Sequence, residues 1–62
     1  MITLYDILKL LQPHIFLEIL DSDGYLLQEG ERGTTVWEDK FLERQIYMII
    51  PGITTKIILE RY

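Results

Sequence analysis

A chain of 62 residues with no cysteine and a single histidine has neither disulfides nor a ready set of metal ligands to hold it together. Apolar burial must do that work, and at this size the gain from burial and the entropy cost of ordering the chain nearly cancel. The expectation is therefore unusually dense apolar packing, a partner chain, or both. The supply is bulky: ten leucines and ten isoleucines, with alanine and asparagine absent. Such a composition excludes disorder, which needs low hydrophobicity and high charge. The longest apolar runs, such as Met48-Ile49-Ile50, fall far short of the ~18 residues of a membrane span. The first residues lack the basic and small-residue pattern of a signal peptide. A cytoplasmic protein is the default expectation, and the lack of cysteine fits a reducing compartment.

Thr3 and Asp6 have the spacing of a capping box, and Leu4, Ile7, Leu8 and Leu11 then follow at i, i+3, i+4 and i+7. That pattern predicts an amphipathic helix over residues 4–11, closed by Pro13, which disfavours helical geometry at Gln12. Residues 14–20 are rich in β-branched and aromatic side chains and run into Asp21-Ser22-Asp23-Gly24, a turn cluster in which carboxylates cap backbone amides and glycine accepts positive φ. A hairpin with those four residues as its loop pairs Leu20 with Tyr25, Ile19 with Leu26, Glu18 with Leu27 and Leu17 with Gln28. Thr35 and Glu38 form a second capping-box spacing, which predicts a short helix over residues 36–43 with Trp37 and Phe41 on one side. Residues 44–62 read as a second hairpin. A two-residue Pro-Gly turn would splay the strands, so a loop over 51–54 is preferred, which pairs Ile50 with Thr55 and Ile46 with Leu59. The order helix, β-hairpin, short helix, β-hairpin predicts one small α+β domain over 1–62. Its sheet is four-stranded, mainly antiparallel and packed on the N-terminal helix.

Little catalytic chemistry is within reach of this residue set. A serine triad needs Ser, His and a carboxylate in mutual hydrogen-bond reach, yet Ser22 and His14 are placed about 25 Å apart by eight extended residues. A calcium loop starting at Asp21 would need glycine at Leu26 and glutamate at Arg32. Glu18 and Glu29 share a face of the first hairpin, but the expected register makes them diagonal neighbours. The Gly30-Glu31-Arg32-Gly33 segment lacks the lysine and repeated glycines of a phosphate cradle. His14 is read as a solvated strand-start residue. No catalytic residue, metal or cofactor is therefore expected, and the chain is read as not an enzyme.

Six basic against ten acidic residues, a net charge of −4, argue against nucleic-acid binding. Lys56, Arg44 and Arg61 remain the residues that a weak nucleic-acid contact would use, although Arg44 and Arg61 are expected to pair with Glu43 and Glu60.

The informative feature is that both faces of the expected sheet are apolar. With the first helix over Ile15, Leu17, Ile19, Met48 and Ile57, the residues left facing outward are Phe16, Leu20, Tyr25, Leu27, Tyr47, Ile49 and Ile58. A patch of that extent exceeds what monomers usually expose. Either the short helix folds over it with Trp37 and Phe41, or it is a subunit or partner interface, to which tyrosines are well suited. The favoured reading is a non-enzymatic protein-interaction module that self-associates, as a dimer, through the outer sheet face or an edge strand. An alternative is a small regulator or inhibitor of a host protein or nucleoprotein.

The segments Thr3-Leu4-Tyr5-Asp6-Ile7-Leu8, Glu18-Ile19-Leu20-Asp21 with Asp23-Gly24, Leu42-Glu43-Arg44 and Ile46-Tyr47-Met48-Ile49, with a final Lys56-Ile57-Ile58-Leu59 strand, resemble a group of short uncharacterised proteins of prophages and mobile elements of Gram-positive bacteria. The resemblance implies a bacterial or phage origin and no enzymatic activity, and it transfers no site residue.

Overall fold

The computed structural model describes residues 2–61, so Tyr62 of the expected second hairpin lies outside it. The chain opens with helix α1, Leu4–Leu10, and its cap is the one the sequence spells. The Asp6 amide donates to Thr3 Oγ1 at 3.3 Å, and the Thr3 amide donates back to Asp6 Oδ2 at 3.2 Å. Leu11 is already extended, two residues ahead of Pro13. Leu4 and Leu8 are buried, and Ile7 and Leu11 pack beside them, so the predicted stripe faces the core.

Four strands follow: β1 (Phe16–Leu20), β2 (Leu26–Glu31), β3 (Ile46–Ile50) and β4 (Thr55–Leu59), with a short helix α2 (Asp39–Leu42) between the hairpins. The fold is α+β as expected. The sheet order is β2-β1-β4-β3, with both hairpins antiparallel and the central β1–β4 pair parallel. The sheet is thus mixed, because each hairpin contributes its inner strand to a shared seam.

The second loop falls over 51–54 as expected, the first runs one residue longer than expected, over 21–25, and each hairpin carries a bulge that shifts its register. In the first, Asp21 Oδ1 accepts from the amides of Asp23 and Tyr25, both at 2.9 Å, and Gly24 supplies φ +90°. Leu20 then pairs with Leu26, while Ile19 pairs with Gln28, Glu18 with Glu29 and Leu17 with Gly30. Leu27 is the extra residue. The expected Glu18–Leu27 pairing is therefore wrong: the turn takes in Tyr25 as a fifth residue, which sets Leu26 outside opposite Leu20, and Leu27 packs against the core at the bulge. In the second hairpin Ile46 faces Leu59 as expected, but Met48 faces Ile58, Ile49 faces Ile57 and Ile50 faces Lys56. Tyr47 is the residue passed over, and beyond it every β3 side chain changes face. Met48 and Ile50 point outward, and Ile49 shares the side of buried Ile57.

The short helix is also shorter than the expected 36–43. The Gln28 side-chain amide takes over the backbone groups that would have started it, donating to the Val36 carbonyl at 2.8 Å and accepting from the Glu38 amide at 3.1 Å. Residue 38 is consequently extended, with no side-chain cap on the helix that follows. Thr35, freed from capping, packs on Gly30, whose φ of +154° and lack of a Cβ let the two segments touch. Trp37 lies before α2, donates its indole N–H to the Arg32 carbonyl at 3.1 Å and packs against the core.

One apolar cluster results: Leu4 and Leu8 from α1, Leu17, Ile19, Ile57 and Leu59 from the two central strands, and Phe41 from α2. Both helices therefore cover the same face of the sheet.

Candidate interaction surface

With Phe41 inside that cluster and Trp37 packed against it, the outer face has no helix over it among the described residues. Its composition follows from the registers. Residues paired across neighbouring strands share a face, so the pairs Leu26–Leu20, Leu20–Ile58 and Ile58–Met48 align into one row crossing all four strands. The row runs from one sheet edge to the other and is wholly apolar. Leu20 and Ile58 are half-buried at its centre, and Leu26 and Met48 are 51% and 45% exposed at its ends.

The next row along the strands is different. Glu29 pairs with Glu18, Glu18 with Lys56 and Lys56 with Ile50. The register places the two glutamates directly opposite, where the sequence expectation had them diagonal, and like charges so placed repel. Lys56 on the other side of Glu18 offsets that repulsion. Beyond this row Phe16, 43% exposed, pairs with Glu31.

The seven residues expected on this face divide. Phe16, Leu20 and Ile58 belong to it. Tyr25 is exposed at the end of the first hairpin loop, and Tyr47 stands out at its bulge, 64% exposed, beside Ser22, Glu60 and Arg61, which line a shallow cleft. Leu27 and Ile49 lie on the opposite face, for the reason given by the two bulges. Leu26, Met48 and Ile50 were missed. No local signal distinguishes them, because their orientation depends on which residue each hairpin passes over.

One edge of the sheet shares the exposed character. From Tyr47 to Ile50, β3 shows four consecutive exposed apolar residues and no charge. The chain start guards only the near end of that edge, through the Ile46 amide on the Ile2 carbonyl at 2.9 Å and a bridge between Thr3 and Gln45.

Elsewhere the polar groups are mostly engaged with the fold. Arg61 pairs with Asp23 at 3.1 Å, and Arg44 Nη2 donates to the Glu60 main-chain carbonyl at 2.7 Å. The expected partner of Arg61, Glu60, is replaced because the first hairpin loop lies within reach of it. A cleft of about 220 Å³ between Tyr5, Lys9, Arg32 and Trp37 holds the buried Arg32 Nε, which has no partner within the described residues. Lys9 lies over the Tyr5 ring at 4.6 Å and 3.9 Å from Asp6. Asp6 is held below its ordinary value of 3.8, first by the Thr3 backbone N–H and then by the Thr3 hydroxyl. His14 is exposed in the turn before β1. Among the described residues no three His, Cys, Asp or Glu side chains gather as a metal site. No helix of the described residues is long and apolar enough to cross a membrane. Comparisons with protein-family models, curated proteins and solved structures return no match.

Proposed function

We propose that the chain is a non-enzymatic protein-interaction module that self-associates through the outer face of its sheet. The observation that supports this reading is the apolar row Leu26–Leu20–Ile58–Met48, which crosses the whole sheet on the side that neither helix covers. Solvated antiparallel strands normally alternate polar side chains outward. Here every strand carries a large aliphatic side chain at an outward position, and the tyrosines at the rim suit a half-wet boundary. The row also fits the size constraint, since a small chain without disulfides or metal gains most from a second apolar interface.

Sedimentation velocity over a concentration series tests the reading. The expected result is a concentration-dependent shift from monomer to dimer, abolished by Ile58→Lys while circular dichroism shows the fold retained. A monomer at every concentration, or an Ile58→Lys variant that associates like the parent, overturns it.

The β3 edge supports a second mode. An uncharged apolar edge strand offers unpaired backbone groups to another extended chain. Ile49→Pro would remove an edge-facing N–H without touching the Leu20–Ile58 centre of the face, so loss of association in that variant alone would favour the edge.

A further inference from the structure

We infer that the occupant of the outer face is a second copy of this chain, related by a two-fold axis that runs along the β1–β4 seam; this rests on the outer-face reading above. The argument is the pattern of charge on the face. A two-fold dimer presents the same surface twice, so the pattern must complement itself under the rotation. Rotation about an axis along the strands, midway between β1 and β4, exchanges the strands in the order β2 with β3 and β1 with β4 and keeps each row at its own level. Leu20 then meets the second copy's Ile58, and Leu26 meets its Met48. Glu18 meets its Lys56, and by symmetry Lys56 meets its Glu18. The apolar row lands on itself, and the charge contrast at the centre of the face becomes two attractive contacts, while Glu29 meets Ile50 between the edge strands, at the solvated rim.

Other axes fail the same test. An axis across the strands at the level of Glu18 sets Glu18 on Glu18, Glu29 on Glu29 and Lys56 on Lys56. Shifting that axis halfway toward Leu20 sets carboxylates on leucine. Both arrangements leave the central Glu18 and Lys56 with no opposite charge across the interface, which the seam axis provides. The seam axis also agrees with the near-aligned packing of face-to-face sheets.

The area is sufficient. Four strands about 4.8 Å apart and five residues of about 3.3 Å give a face of roughly 19 by 17 Å. With side-chain relief the two faces bury on the order of 1,000 Å², the lower bound of a specific interface, which implies a reversible dimer. The assembly is closed, because the face is used up once two copies meet.

Two measurements on the full chain test this. Glu18→Lys and Lys56→Glu each place like charges against each other in the dimer, so each alone should weaken association by about tenfold or more. Mixed together, they form a heterodimer in which both inter-copy contacts are Lys against Glu, and association should return to within about threefold of the parent. The within-chain pair of residues 18 and 56 stays like-charged in each variant of the mixture, so only contacts between copies can produce the recovery.

The second measurement avoids charge reversal. Leu26→Cys and Met48→Cys introduce single thiols at exposed positions of a chain with none of its own. Sheets about 10 Å apart place residue 26 of one copy across from residue 48 of the other, and leave two copies of residue 26 three strands offset. A bis-maleimide of about 10 Å reach should therefore join the mixture and neither variant alone. Mixtures that show neither recovery nor cross-linking overturn the seam axis, and Leu26→Cys cross-linking to itself points instead to the axis across the strands. The outer-face reading stands in those cases if Ile58→Lys still abolishes association, and falls only if it does not.

Discussion

Leu17, Ile19, Ile57 and Leu59 on one side of the sheet have no exposed surface, while Leu20, Leu26, Met48 and Ile58 on the other keep up to half of theirs. The two sets are drawn from nearly the same residue types, and Leu20 and Ile58 stand on the same strands as the first set, one position from Ile19, Ile57 and Leu59. What separates them is the cover: α1 and Phe41 close over the first set, and no helix reaches the second. Side-chain chemistry alone therefore does not say which face of such a sheet is the core. The helices decide it, and the face they leave stays exposed to solvent.

The sharpest way to break this comparison is to truncate matching residues on the two faces. Ile57→Ala should cost about 2–5 kcal/mol, because a fully buried side chain leaves a cavity. Against a total of roughly 3–9 kcal/mol for a chain of this length, that leaves a large unfolded fraction in urea titration. Ile58→Ala, one residue on, should cost the isolated chain less than half as much and act chiefly on association. Equal losses for the two variants at monomeric concentration would erase the distinction between the faces.

A smaller effect tests whether residues 35–38 belong to the inner cover. Gly30→Ala forces a side chain to adopt φ +154° and drives a Cβ into Thr35, so a loss above ~1 kcal/mol is expected. Adding Thr35→Gly should recover the steric part and leave the backbone strain. A Gly30→Ala variant as stable as the parent would show that the Thr35 contact is dispensable.

The smallest effect concerns the helix that closes the inner face. Thr3→Ala removes its cap and should cost about 1 kcal/mol in thermal or urea unfolding. Because the Asp6 carboxyl is lowered in the folded chain, its contribution is full above the ordinary value of 3.8 and is lost as pH falls through the lowered one. Stability should therefore decline on acidification below about pH 4, less steeply in Asp6→Asn. Identical acid limbs for parent and variant would remove the capping carboxylate from the account.

Features set by neighbours in the chain were legible in the sequence. The Thr3–Asp6 cap, the Leu4–Leu8 stripe, the Asp21 turn and the loop over 51–54 all stand where their residues place them. The illegible features were decided at a distance. Whether Leu26 or Leu27 faces inward depends on how the first turn closes and on where the Gln28 amide finds partners at residues 36 and 38. Passing over Tyr47 reassigns Met48, Ile49 and Ile50 at once, and periodicity reads the same before and after such a slip. The Thr35–Glu38 spacing satisfies the rule for a cap but loses to a side chain from another strand. Leu20 and Ile58 accordingly stand at the centre of the outer face as expected, whereas Leu27 and Ile49 lie on the inner one.

The parallel seam has a consequence for how the chain is made. Of the four strands described, β4 comes last in the chain, yet it lies between β1 and β3. Until residues 55–59 have left the ribosome, β1 has a neighbour on one side only and β3 has no strand to pair with. The first hairpin can form early, since its contacts are local. Joining residues 17–20 to 55–58 must wait, and it closes a long loop before any contact repays the cost. Until then β1 and β3 both lack the neighbour they share, and one strand joins the two hairpins into a single sheet.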